Sequence, residues 1–177
     1  MKRILIISLF VIAISTGCDQ ISKLTQFNLE YDQTILIPSA SEIDIPSNIP
    51  IPDIESNSES SFSVNNTNKD LIENVTLTQM TMTISTPSDG TFSFLKSITV
   101  YISADGLDEI EVASKDNIPN TVGNTLELET SDADLQEYIK KDSFNLKVKT
   151  VIDELITSDY SIDMHSVFFV DAKILGF

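Results

Sequence analysis

The chain has 177 residues, with 27 Asp and Glu against 11 Lys and Arg, a formal charge of −16, one His, one Cys and no Trp. Such acidity excludes nucleic acid as a partner, because binding it needs clustered Lys and Arg against phosphate, and it disfavours electrostatic docking on anionic lipid. One Cys excludes an internal disulfide. With a single His beside it, a zinc site built from several His and Cys ligands is excluded too.

The opening stretch, MKRILIISLFVIAISTGCDQ, has a positive head at Lys2 and Arg3. An uncharged run from Ile4 to Ile14 follows, apolar except at Ser8, and then the small residues Ser15, Thr16 and Gly17 lead to Cys18. That order predicts a secretory signal peptide. The apolar run is too short to span a bilayer, which takes ~20 residues. Thr16-Gly17-Cys18 resembles the lipobox of bacterial lipoproteins, although Ser15 stands where that family usually has Leu. The resemblance implies cleavage before Cys18, a diacylglycerol on its thiol and an acylated new amino terminus. A lone free thiol in an exported protein is reactive, and lipidation accounts for its position. More than one acyl chain gives stable anchoring.

The expected organisation is a cleaved signal peptide over 1–17, a short tether over 18–26 and a single domain over 27–177. Lys2 and Arg3 leave with the signal, so the mature chain keeps nine Lys and Arg against 27 Asp and Glu, a formal −18. Asp19 follows the Cys, which in some bacteria marks inner-membrane retention. Inner and outer membrane, and the periplasmic side and the cell surface, stay open.

In the domain, Phe27 to Ile37 alternates apolar and polar residues and predicts a first strand. Pro38 to Ile54 carries Pro38, Pro46, Pro50 and Pro52 and predicts an edge or extended connector, since proline donates nothing to a ladder. SSFSVNN predicts a short strand with Phe62 and Val64 inward. NKDLIENV predicts one helical turn capped by Asn68. Val75 to Thr86 is the clearest strand, and its apolar phase slips at Gln79–Met80, which predicts a β-bulge there. Pro87 to Gly90 is a turn. Asp105-Gly106, between two alternating runs, predicts a hairpin over 97–114.

TLELE predicts a short strand on Leu126 and Leu128. Residues 131–141 predict the one short helix, with Ser131 at its cap, acidic residues at its start and Lys140 and Lys141 at its end. Phe144, Leu146 and Val148 face inward on the next strand, and Tyr160, Ile162, Met164, Phe168 and Val170 on the last. The pattern predicts an all-β, antiparallel, immunoglobulin-like β-sandwich of about seven or eight strands with that helix.

Chemistry is sparse. His165 is predicted to face solvent on the last strand. A Ser-His-Asp triad is formally available, but no G-x-S-x-G elbow, P-loop or G-x-G-x-x-G is present. Carboxylates gather at Asp105, Asp108, Glu109 and Glu111 without EF-hand spacing and predict a charged hairpin turn rather than a calcium site. The expected activity is therefore a lipid-anchored binding or assembly module of the cell envelope. It takes no cofactor and has no catalytic or metal-ligating residues; Cys18 is its lipid attachment point, and its partners are the membrane and an envelope protein. The alternatives are a lipid-anchored enzyme with a carboxylate-based site, for instance on glycan, and an immunity or adhesin-subunit type of protein that pairs an exposed strand with a partner.

Overall fold

The computed structural model describes residues 25–39 and 41–173, with backbone alone at 52 and 53. Within them the chain forms nine strands: β1 (Gln26–Ile37), β2 (Ser47–Glu55), β3 (Ile72–Thr86), β4 (Leu95–Ala104), β5 (Leu107–Asp116), β6 (Thr125–Glu127), β7 (Glu129–Thr130), β8 (Ser143–Ile152) and β9 (Tyr160–Ala172). Two short helices, α1 (Ser58–Val64) and α2 (Gln136–Ile139), complete it with single turns at Lys69–Leu71 and Phe92–Phe94. The strands make two antiparallel sheets, ordered β1-β9-β3-β6 and β2-β8-β4-β5-β7.

This is the all-β sandwich that the alternation predicts, and its strand order refines the immunoglobulin-like expectation. Immunoglobulin sheets hold ABED on one side and CFG on the other. Here the first and last strands pair, and successive connections pass from one sheet to the other, apart from β4–β5 and β7–β8, which stay within the five-stranded sheet. That interleaving is the arrangement of a jelly roll. Alternation along each strand does not encode it, because either strand order buries the same faces.

β1 shows the alternation without a break: Leu29, Ile35 and Ile37 are buried while Gln26, Asn28, Glu30, Asp32, Thr34 and Leu36 are exposed. β8 does the same with Phe144, Leu146 and Val148. Tyr31, Phe144 and Phe168 meet edge to face in the core, with centroids 5.2 Å, 5.5 Å and 6.1 Å apart. Edge-to-face packing sets the positive rim of one ring against the negative face of another, adding to the burial of the rings themselves. The bulge in β3 is present: Leu77 pairs with Phe168 and Gln79 with Val167, so the extra residue is Thr78, just before the predicted slip. β5 carries a second bulge, which buries Val112 and Ala113 together.

Two expectations are corrected. The segment predicted as the strand SSFSVNN is helix α1, with Phe62 fully buried and Val64 81% exposed. Alternation cannot hold both residues inside there, because the chain must turn after β2 to cap the open end; Phe62 packs edge to face on Phe27 at 6.0 Å. The predicted helix over 131–141 shrinks to the four residues of α2, and Ser131 does not cap it. Its hydroxyl donates instead to the Glu111 carbonyl, and its N–H to Val112, because β7 holds that point against β5. Asp134 takes the capping role, accepting from the N–H groups of Gln136 and Val75. Leu135 and Ile139 then bury completely beneath it.

The predicted cap at Asn68 is present, its side chain accepting from the N–H of Asp70 at 3.0 Å. The Asp105-Gly106 hairpin also forms, with Gly106 at φ +72°, a backbone shape glycine adopts without strain.

The two long sides of the sandwich differ. On one, residues 125–130 stitch the sheets together. β6 pairs with β3, Leu128 donates to the Met80 carbonyl at 3.0 Å, and β7 then pairs with β5. On the other side β1 and β2 run along the sheet edges, and no strand ladder joins them among the described residues.

Candidate functional site

His165 and Asp32 share the outer face of the β1-β9-β3-β6 sheet. The β1–β9 register sets them opposite each other, and the His165 Nδ1 lies 2.7 Å from an Asp32 carboxylate oxygen. Across β9, the same register row continues to Thr81 on β3, whose hydroxyl accepts from the Gln79 amide. Acid, imidazole and hydroxyl thus line up on a sheet surface. What the row lacks is a recess: all three lie on the pleat of one face, where bulk water competes for every charge that would develop in a reaction.

The carboxylates of the β4–β5 hairpin stay spread. Glu109 pairs with the Lys147 ammonium, which also stands 4.9 Å from the Tyr101 ring centroid. Among the described residues no group of three or more His, Cys, Asp or Glu is placed to hold a metal ion. Cys18, Thr16 and Gly17 lie outside the described residues. No helix among the described residues is long and apolar enough to cross a membrane.

The recesses gather on the open side of the sandwich. One, of about 580 Å³, lies where β2 runs into α1 and is lined by Glu55, Ser56, Asn57, Glu59, Lys69 and Asp142 among others. Several of its polar groups are already paired. Lys69 pairs with Asp142 at 3.0 Å and with Glu59 at 3.8 Å, and the buried Ser56 hydroxyl donates to the Lys141 carbonyl at 2.6 Å. Another, of about 330 Å³, is a groove between the edge strands, lined by Gln33, Thr34, Ile35 and Leu36 of β1 and by Ile49, Pro50 and Ile51 of β2.

Tyr31 of β1 meets the first of these at Ser56. Its hydroxyl donates to the Ser56 carbonyl at 2.6 Å, and burial pushes its pKa up to about 12. Exposed groups elsewhere are tuned by single partners. A hydrogen bond from Lys115 lowers the pKa of Glu129, and the backbone N–H of Ser39 lowers that of Asp159. The hydrogen bond to Asp44 raises the pKa of Lys96.

Reading the sequence alone misses Asp32 as the partner of His165, because 133 residues separate them. It also misses Lys69 as the hinge of an ion-paired recess. The signal that was available is the phase of β1: Asp32 is an outward position opposite an outward position of the last strand once the terminal strands are paired.

No protein-family model matches the chain, and no curated protein does. Solved structures give remote likenesses. A chain from the crystal structure of tomato aspermy virus is 12% identical over 83% of this chain and 79% of that one, with a TM-score of 0.32. The BFDV capsid protein is 7% identical over 84% and 99%, with a TM-score of 0.37. CpGH89CBM32-5 from Clostridium perfringens, solved with GalNAc-β-1,3-galactose, is 9% identical over 76% and 94%, with a TM-score of 0.30. At these scores none of them bears on what this chain does.

Proposed function

We propose that this chain is a bacterial cell-envelope lipoprotein, anchored through acyl chains on Cys18, whose sandwich serves as a binding or assembly module beside the membrane. The observation that carries the reading is the order Lys2-Arg3, apolar run, Thr16-Gly17-Cys18, with no other cysteine in the chain. The tether over 18–26 reaches only ~3.5 Å per residue when extended, so the domain works within a few tens of ångströms of the bilayer.

Two features support binding over catalysis. The histidine and its carboxylate neighbour sit side by side on the outer face of a sheet. In the recess at α1 the one ammonium, Lys69, is already paired with Asp142 and Glu59, and the groove is lined by Ile35, Leu36, Ile49, Pro50 and Ile51 beside Gln33 and Thr34.

The test is Cys18→Ser followed by fractionation and labelling with a palmitate analogue. Release of the variant into the soluble fraction, with loss of the label, is expected. A variant that stays in the membrane fraction sinks the anchor. Affinity purification of the wild type from detergent-solubilised membranes then identifies the envelope partner.

A further inference from the structure

The four sheet edges are not protected equally. A free edge offers a row of N–H and C=O groups to any other strand, and proteins blunt it with short strands, proline, bulges or lysine. β6 and β7 are blunted by length, three residues and two. β2 carries Pro50 and Pro52, which lack the N–H, and its register breaks between Ile51 and Ile54. β1 has none of these devices. It runs for 12 residues without proline or lysine, and its register with β9 is continuous from Gln26–Asp171 to Ile37–Tyr160. No strand among the described residues pairs with its other side. In an antiparallel ladder every second residue aims its N–H and C=O away from the partner.

The N-terminal half of β1 is flanked by α1, where Asn28 and Leu29 share a recess with Ser60, Ser61 and Val64. The C-terminal half faces the groove with Ile49, Pro50 and Ile51. A strand laid along it inherits the phase of β1. One set of its side chains enters the groove beside Ile35. The other lies on the outer face beside Glu30 and Asp32, with Asp163 one strand further in, its carboxylate accepting from the Thr34 hydroxyl at 2.9 Å. The first set must be apolar, and the charge of the outer face selects Lys or Arg for the second. A second copy of this chain is disfavoured as the occupant, because its β1 carries no Lys or Arg and would add its own Glu30 and Asp32 to a face already lined by carboxylates.

We propose that the C-terminal half of β1 is a strand-addition site, which takes up an extended protein segment alternating apolar residues with Lys or Arg. This deepens the binding-module reading and rests on it.

The test titrates the full chain in detergent micelles with a synthetic peptide of about eight residues alternating Val with Lys. Two controls accompany it: the same peptide N-methylated on alternate amides, and a peptide with Glu for Lys. Binding is expected, with new amide-exchange protection confined to residues 32–37. The methylated and acidic peptides should each bind at least ~10-fold more weakly. The exposed double variant Glu30→Lys with Asp32→Lys should reverse the charge preference without unfolding the sandwich. Equal affinity for the methylated peptide, protection elsewhere, dimerisation through β1, or no binding near ~1 mM overturns the site. The Cys18→Ser form must take up the peptide equally well. Failure of the edge and failure of the anchor are therefore read separately.

Discussion

The Tyr31 hydroxyl and the Ser56 carbonyl, 2.6 Å apart, join the edge strand of one sheet to the segment that follows the edge strand of the other. They tie the two sheets together on the side where β1 and β2 are the edges. Below them lies the ion-paired recess, and beside them the groove along β1.

Removing that hydroxyl leaves a partly buried carbonyl without its donor. Tyr31→Phe should destabilise by about 1 kcal/mol, a melting shift of about 2–4 °C for a chain of this size. The same residue sets an alkaline limit. Burial raises its pKa from 10.0 to about 12, so the folded state keeps a proton that the unfolded chain gives up first. The contribution is complete below pH 10 and is lost as pH climbs towards 12. Denaturant titrations at a series of pH values should show wild type losing stability over that range more steeply than Tyr31→Phe. Identical slopes would mean another group governs the loss.

Thr150 sits on β8 with its side chain in the core, and its hydroxyl has no hydrogen-bond partner among the described residues. A buried hydroxyl without a partner carries its desolvation cost uncompensated. Val has nearly the same shape without that cost. Thr150→Val should therefore raise the unfolding free energy by about 1 kcal/mol. Chemical denaturation reads it directly, and a loss of stability would show that the hydroxyl is partnered in solution.

Gly90 closes the turn after β3, donating its N–H to Pro87. A Cβ there would lie 2.9 Å from the Pro87 oxygen and from Ile84 Cγ2, and 3.0 Å from Tyr160 Cε1. The Pro87 oxygen is backbone and cannot swing aside, so Gly90→Ala should cost about 1–3 kcal/mol. Gly123 has nothing within 4 Å of such a Cβ, and Gly123→Ala is the near-neutral control in the same melting series.

The acidic hairpin should ignore calcium. Glu109 is engaged by Lys147, and no metal-binding group forms among the described residues. Millimolar calcium should leave the melting temperature where it is. Lys147→Ala should cost less than about 1 kcal/mol, since both partners are partly solvated. A clear rise in melting temperature with calcium would make this turn a binding site.

The strands were legible because each buries one face, and a period of two survives in β1, β3, β4, β8 and β9. The hairpin was legible for a local reason, the left-handed turn that Gly106 permits. Segments whose structure is imposed from a distance were not. Phe62 and Val64 alternate like a strand, yet the chain coils there to cap the sandwich. Ser131 has the look of a helix cap, yet β5 claims it. The jelly-roll order and the pairing of Asp32 with His165 depend on contacts between the two ends of the chain, which no local pattern carries. The open β1 edge emerges only once that order is known, because a strand is an edge only in relation to its neighbours.

The central claim is that the chain is held at a membrane through Cys18, and the intact mass of the protein purified from membranes tests it most directly. The account predicts a chain that begins at Cys18 and carries thioether-linked diacylglycerol and an amide-linked acyl group. A chain that retains residues 1–17, or one that begins there with an unmodified thiol, would contradict it.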